Sequence, residues 1–449
     1  MGIATIALIV YVLLIIAWVV IVKRNIGEAM IVGFIVTALF GGKEVFTLIK
    51  DGFIFGATHE VLFAAMSFVF MAFLIEQTGL IEKLINILNS VFGKLPGGAA
   101  YVDTIASAIF GTISGSGSGN TATVGAITIP WMNKSGWTKE QSATIAAGNA
   151  GMGISFPPNG SMFILLGAAS ISAVVTEGQL YVALFIAGFY TLIYRLIVIF
   201  WFVKRSKIKK VERAGQDSFI GSLKKGWTSL IIFLGILIPV MVTIGPVSEF
   251  IEGTIISKEA LKSISIIVWV PMIITLITII VGWKSIPKQP KAFMSFLEKS
   301  IPSFGLIGVI LLFSFSASDV LKRIGLADEL GTMMGSLDLS PGLMALIVGL
   351  LIVIVATPLT ATATVTAIGT VAFTALVSSG IDPVVAAVVV LVFASTEGAS
   401  PPGGAPIFIA SGISGADPVK TFVPLIVYYV IPIAFIAWLL AVGWLPLFT

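Results

Sequence analysis

The sequence predicts an all-α polytopic membrane protein made of two related halves, each holding a helical hairpin and a helix broken at paired prolines. Three observations carry that prediction. First, the 449-residue chain is 57% hydrophobic and 11% charged. So few charges cannot screen that much apolar surface from water, and apolar runs long enough to cross a bilayer recur from end to end. Second, motifs of the first half return in the second. Thr121-Ala122-Thr123-Val124, Ser135-Gly136, Pro157-Pro158 and Phe163-Ile164 reappear as Thr362-Ala363-Thr364-Val365, Ser379-Gly380, Pro401-Pro402 and Phe408-Ile409, at offsets of 241, 244, 244 and 245 residues. Third, lysines and arginines cluster beside alternate apolar runs. Repeats with interrupted helices at matching positions mark a secondary transporter whose binding site lies between its halves.

Taken in order, candidate spans fall at roughly 3–22, 26–41, 53–77, 159–175, 178–203, 227–247, 264–283, 300–317 and 421–446. The first lacks a preceding positive charge and a small-residue cleavage site before Lys23-Arg24, so it reads as a span and not as a removable signal. Regions 97–133 and 341–379 read as hairpins with small-residue tips. Regions 138–175 and 382–415 read as helices broken at Pro157-Pro158 and Pro401-Pro402, because proline removes a backbone donor and restricts its neighbour.

Orientation follows from the basic residues. Lys204, Arg205, Lys207, Lys209, Lys210, Arg213, Lys224 and Lys225 crowd the segment 204–225, which is placed in the cytoplasm. Counting outward, both termini lie outside. The span 53–77 then runs outside to inside and its counterpart 300–317 inside to outside, so the two copies are inverted. The charge pattern and the motif repeat reach that result independently.

Two polar tips and two breaks carry the chemistry. The first tip, Gly111 to Thr121, supplies glycine carbonyls and serine, asparagine and threonine oxygens, the ligands a hard cation takes. The following helix is expected to begin near Thr121, where free N–H groups favour an anion. Small residues also serve helix packing; the presence of two copies favours a binding tip. The second tip alternates Thr357, Thr360, Thr362 and Thr364. These hydroxyls could hold a second ion or bond back to their own helix, and both readings stand. The breaks carry Ser155 and Asn159 in one copy and Glu397 and Ser400 in the other. Unwound backbone at membrane depth must be buried or line a wet cavity.

Ionisable residues at depth are functional candidates. Glu397 adjoins the ion tip, with a coupling-ion or proton role. Asp103 is left as a cap or a local partner. Arg195 is expected to snorkel to the cytoplasmic headgroups. Glu76, Glu82 and Lys83 are read as a solvated face, and the single histidine, His59, as outside or interfacial. The chain has no cysteine, hence neither disulfides nor thiol chemistry. It has no Gly-Lys-Ser/Thr phosphate loop and no nucleophile–base set, which argues against direct use of ATP and against an enzyme. The net charge of +4 comes from lysines beside spans and does not indicate nucleic acid.

The runs Leu95-Pro96-Gly97-Gly98, Gly111 to Ser116, Ile129 to Trp137 and Phe156-Pro157-Pro158-Asn159 resemble the large membrane subunit of TRAP transporters. Ser400-Pro401-Pro402-Gly403 and Phe408 to Gly415 are similar to that subunit's C-terminal repeat. Gly119-Asn120-Thr121-Ala122-Thr123 also resembles the Ser-Asn-Thr signature of divalent-anion sodium symporters. The resemblance implies a scaffold and a transport domain that moves as an elevator. It implies uptake of an organic acid, often a carboxylate or sialic acid, driven by sodium across the inner membrane. It implies a small four-helix membrane subunit and an extracytoplasmic solute-binding protein as partners.

Under it the chain divides into N-terminal scaffold helices (1–52), a first repeat (53–203), a basic linker with scaffold helices (204–299) and a second repeat (300–449). Ser114, Gly115, Ser116, Gly117, Ser118, Gly119, Asn120, Thr121, Ser155, Pro157, Pro158 and Asn159 would form one half of the ion and substrate site. Thr357, Thr360, Thr362, Thr364, Glu397, Ser400, Pro401, Pro402 and Gly403 would form the other. Sodium, the coupling ion and the sole cofactor expected, is assigned to Ser116, Asn120, Thr357 and Thr360. Threonine at the second tip and Glu397 before the second Pro-Pro depart from the family pattern. A stand-alone sodium or proton symporter is the alternative within transport; a channel or structural subunit is the alternative of another class.

Overall fold

A computed structural model describes the chain except residues 1, 210–217, 244–245, 255–265, 327, 330–331, 333–338, 358 and 448–449. Lys210 and Arg213 of the basic segment, and Pro358 of the second tip, lie outside the described residues. Among those described there are helices and no strands. The first are α1 (Ile3–Val20), α2 (Ile26–Leu39), α3 (Val45–Thr58), α4 (Glu60–Gln77) and α5 (Leu80–Phe92). A hairpin of α6 (Gly98–Ser114) and α7 (Gly117–Lys134) follows. Then come α8 (Lys139–Ala150), a 3-10 turn (Gly151–Ser155), α9 (Gly160–Gly167), α10 (Ala169–Ser172) and the long α11 (Glu177–Arg205). The middle of the chain holds α12 (Phe219–Leu230), α13 (Leu234–Thr243), α14 (Pro246–Thr254), α15 (Ile266–Val281) and α16 (Pro290–Glu298). The second half runs α17 (Ile301–Arg323), a hairpin of α18 (Pro341–Ala356) and α19 (Ala361–Ser378), α20 (Pro383–Ala394), a 3-10 turn (Glu397–Ala399) and α21 (Ala405–Ser414). It ends on α22 (Val419–Leu425), a π-helical turn (Ile426–Val430) and α23 (Ile431–Ala441).

The order hairpin, helix, 3-10 turn, Pro-Pro, short helix thus occurs twice. Both Pro157–Pro158 and Pro401–Pro402 peptide bonds are cis. Helix starts follow local chemistry. Thr138 and Gln141 form a reciprocal capping box at α8, and Thr176 and Gln179 do so at α11. Asp382 accepts the N–H groups of Val384 and Val385, and Pro383 opens α20, where its missing donor costs nothing. Among the described residues five stretches are long and apolar enough to cross a membrane, Glu177–Arg205, Phe219–Thr243, Phe304–Arg323, Ala361–Ser378 and Val419–Ala441, or six if the bent pair near His59 counts as one.

Several expectations are corrected. The span 53–77 is two helices, α3 and α4, meeting at an angle of 49° near His59. His59 lies at that bend, half-buried, with its ring stacked on buried Phe315 at 4.7 Å. The span 159–175 is a pair of short helices, with a break at Ala168. The sequence reading also passed over α5, whose Leu80, Ile81, Leu84, Ile85 and Ile87 form one buried face at helical spacing. Beyond α17, Glu329 accepts the Ala4 and Thr5 amides and the Thr5 hydroxyl, fastening the start of α1. Those donors, the Thr5 amide foremost, hold its carboxyl below the usual carboxylate range.

The halves interlock. The short helix α21 of the second break packs on α7 and α8 of the first half, where Asn133 donates to the Ser414 carbonyl at 3.2 Å. The short helix α9 of the first break packs on α19 of the second, with Leu165 against Gly369. The two breaks therefore meet in the middle. A Cβ on Gly151 would collide with the Ser395 carbonyl oxygen, and one on Gly398 would meet the Ala150 side chain at 2.7 Å.

Candidate functional site

The first tip is a tight turn of two residues. Gly115 takes a left-handed conformation with φ of 60° and returns its N–H to the Gly111 carbonyl. Ser116 is extended and its hydroxyl accepts the Gly119 N–H at 3.1 Å, capping α7. Hence α7 begins at Gly117 and not near Thr121. Gly117, Ser118, Gly119, Asn120 and Thr121 are its first turn and a half. At the second tip Thr360 caps α19 by accepting the Ala363 N–H at 3.2 Å.

One carboxylate stands between the two tips. Glu397 is 3% exposed. It accepts the backbone N–H of Ala361, the first residue of α19. Its Oε1 also lies so close to Gly117, the first residue of α7, that any side chain there would overlap it. Both helices thus direct their positive ends toward the same anionic group. No lysine or arginine among the described residues pairs with Glu397. A buried carboxylate in apolar surroundings calls for a cation or a proton.

Neutral oxygens lie beside it. The Ala150 carbonyl, freed where α8 ends, lies 3.6 Å from where a Gly117 Cβ would be. It accepts from Asn120 Nδ2 at 3.1 Å, and the same nitrogen reaches the Ser107 carbonyl at 3.3 Å. Asn120 Oδ1 is buried with no hydrogen-bond partner. One carboxylate, a freed carbonyl and an unpartnered amide oxygen suit a hard monovalent cation.

Other expected residues fall elsewhere. Asn159 clamps its own break: its Oδ1 caps α9 by accepting from Met162, and its Nδ2 reaches the Ile154 and Phe156 carbonyls. Ser155 is fully buried and its hydroxyl has no partner. Pro157 and Pro158 are buried. Thr357 and Thr364 bond back to the Val353 and Thr360 carbonyls, as Thr121 does to Gly117 and Ser400 to Thr396. Thr362 and Pro401 are half-buried, and Pro402 and Gly403 exposed.

A second polar cluster gathers around Asp103, which the sequence left as a cap or a local partner. Asp103 accepts from the Thr128 hydroxyl and from Asn149 Nδ2, which also reaches Thr104 Oγ1 at 2.9 Å. This ties both arms of the first hairpin to α8. Arg195 does not snorkel. It is 0% exposed, with Nε on the Gly148 carbonyl and Nη1 on the Thr191 carbonyl, both at 3.4 Å. Its partner Gly148 lies two residues before the end of α8, and the Tyr429 ring covers that glycine. Asn149, a lone amide in a run of small residues, was the signal available.

Comparison with known proteins bears on this arrangement. The family model for the tripartite ATP-independent periplasmic transporter, DctM component, matches residues 6–447. An isethionate TRAP transporter permease, DctMQ, of Oleidesulfovibrio alaskensis is 24% identical over 75% of this chain, and the match spans half the length of that relative. The C4-dicarboxylate large permease DctM of Pseudomonas aeruginosa is 22% identical over 80% of this chain and 78% of its own. The 2,3-diketo-L-gulonate large permease YiaN of Escherichia coli is 23% identical over 80% of this chain and 79% of its own. Among solved structures, Neisseria gonorrhoeae MtrF, described with a class of antimetabolite efflux pumps, aligns with a TM-score of 0.62 at 13% identity, covering 90% of this chain and 84% of that one. The YdaH transporter of Alcanivorax borkumensis aligns with a TM-score of 0.62 at 15% identity, covering 89% and 88%. At such identities these two structures speak to the fold alone.

Proposed function

Because the chain belongs to the DctM component family of tripartite ATP-independent periplasmic transporters, we propose that it is a large permease importing a small organic anion on an inward sodium gradient. The observation that carries this reading is Glu397, a buried carboxylate without a cationic partner, held between the first residues of α7 and α19. Sodium neutralises it, with the Ala150 carbonyl and Asn120 Oδ1 as further ligands. Relatives named for a sulfonate, a dicarboxylate and a keto sugar acid support a small hydrophilic anion as cargo.

In this reading the two halves are inverted in the inner membrane with both termini outside. The hairpins and breaks move together as an elevator past the remaining helices. A small membrane subunit and an extracytoplasmic binding protein complete the system, the assembly that the family's name describes. Proton coupling through Glu397 is the second reading, favoured by the same lone carboxylate.

The test is uptake into proteoliposomes from a panel of isethionate, C4-dicarboxylates and 2,3-diketo-L-gulonate, under separate sodium and proton gradients. Uptake that responds to sodium supports the first reading, and to protons alone the second. Indifference to both sinks the two together. Glu397→Gln is expected to raise half-saturating sodium by at least about tenfold, the equivalent of one lost charge-assisted contact. Asn120→Ala is expected to lower ion-driven uptake far more than Ser90→Ala, because Ser90 only bonds back to Ile87 on α5. Equal losses would remove Asn120 from the site.

A further inference from the structure

Three consecutive residues at the end of α8 are held by three different helices. The Gly148 carbonyl takes Arg195 of α11, the Ala150 carbonyl takes Asn120 of α7, and between them the Asn149 side chain is held by α6. Asn149 Nδ2 donates to Asp103 Oδ2 and to Thr104 Oγ1, both at 2.9 Å. Its Oδ1 has no partner, so the whole grip on that side chain passes through one nitrogen. Gly148 and Gly151, kept bare by the Tyr429 ring and the Ser395 carbonyl, flank Asn149 and Ala150. Glycine does little to limit its own backbone rotation. The direction of the Ala150 carbonyl therefore depends on what holds Asn149 as well as on Asn120.

Asp103 is placed to set that direction. It is 1% exposed, and its two oxygens serve Asn149 of α8 and Thr128 of α7. Four residues further along the same face of α6, the Ser107 carbonyl accepts from Asn120 Nδ2. One face of α6 thus registers both Asn149, which precedes the Ala150 carbonyl, and Asn120, which carries the unpartnered Oδ1. The two contacts lie about 6 Å apart along that helix, so Asp103 stands back from the oxygens assigned to the cation.

We propose that Asp103, gripping Asn149, is a positioning residue for the cation: it fixes the Ala150 carbonyl and so sets the affinity for sodium without being a ligand. This rests on the cation site of the transport reading. Groups behind the ligands of a metal orient them, and losing one lowers metal affinity roughly 10–100-fold.

The test reads sodium binding and not uptake. The purified full chain is melted over a sodium chloride series, with choline chloride holding the ionic strength constant. The rise of the midpoint with concentration gives the sodium dissociation constant. Asp103→Leu removes the acceptor and Asn149→Ala the donor, and each is expected to weaken sodium about tenfold. Asp103→Asn can keep an oxygen on Asn149 by turning its own amide nitrogen to the Thr128 oxygen, so it should stay within about threefold of the parent. Thr128→Val cuts the other contact of Asp103. It should lower the midpoint measured without sodium yet leave the sodium constant within about twofold.

Parental sodium affinity in Asp103→Leu and Asn149→Ala overturns the proposal. So does an equal loss in Asp103→Asn, which would make the effect one of charge, or in Thr128→Val, which would make it one of packing. If Asp103→Leu does not fold, Asn149→Ala against Asp103→Asn decides in the same way. A parent whose midpoint ignores sodium removes the sodium reading and this proposal together. Unmoved variants in a responsive parent remove this proposal alone.

Discussion

Gly153→Ala is expected to unfold the centre of the molecule. The 3-10 turn after α8 crosses α6 with backbone against backbone. A Cβ on Gly153 would overlap the carbonyl carbon and oxygen of Gly111, and one on Gly111 would meet the Gly153 nitrogen at 2.8 Å. Neither partner is a flexible side chain that could turn aside. Overpacking of this kind costs about 3 kcal/mol or more, the upper end for a single substitution. The measurement is the thermal unfolding midpoint of the purified protein beside Gly160→Ala as control. Gly160 opens α9, and a Cβ there meets nothing within 4 Å, so that variant should melt within about 0.5 kcal/mol of the parent or above it. A parental midpoint for Gly153→Ala would contradict the crossing.

The second large effect is expected at Arg195. Helix α8 ends at Ala150, which leaves its last carbonyls without the usual helical donors. They are buried, so each needs a partner from elsewhere. Arg195 supplies one to Gly148, and Asn120 supplies one to Ala150. A guanidinium at a helix C-terminus also meets the negative end of its dipole. Arg195→Met strands the Gly148 carbonyl and should cost about 1–3 kcal/mol. Arg195→Lys keeps the charge with a single donor direction and should recover roughly half of that. Unfolding of Arg195→Met at the parental temperature would show that the guanidinium holds nothing in place. The equivalent end of α20 closes differently, with Ser395 and Thr396 hydroxyls on the Val392 and Phe393 carbonyls. The end of α8 is therefore closed by distant elements and the end of α20 by its own side chains.

The contrast explains what the sequence could disclose. Pro157-Pro158 and Pro401-Pro402 announce their breaks because proline acts on its own backbone. The hairpins are legible for the same reason, since glycine and threonine interrupt apolar periodicity locally. The start of α7 was misplaced because four glycines in the first tip suggested unwinding, whereas Ser116 caps the helix early enough for Gly117 and Gly119 to lie inside it. Arg195 was misread because its distance from a span end suggests snorkelling, while the acceptor that holds it lies 47 residues earlier. The ring that His59 stacks on at the bend belongs to α17, more than 250 residues away. Glu397 was noticed as an unexpected acid. That it reaches Ala361 and Gly117 together follows only from the packing of the two halves.

The exchange of short helices between halves also constrains how the protein is made. Residues up to Arg205 leave the ribosome before any of α19, α20 or α21 exists, so α7, α8 and α9 enter the bilayer lacking the surfaces they finally rest on. The glycine-lined centre must wait, half assembled, for synthesis to finish. The first break is thus made before the second-half helices that complete its packing exist.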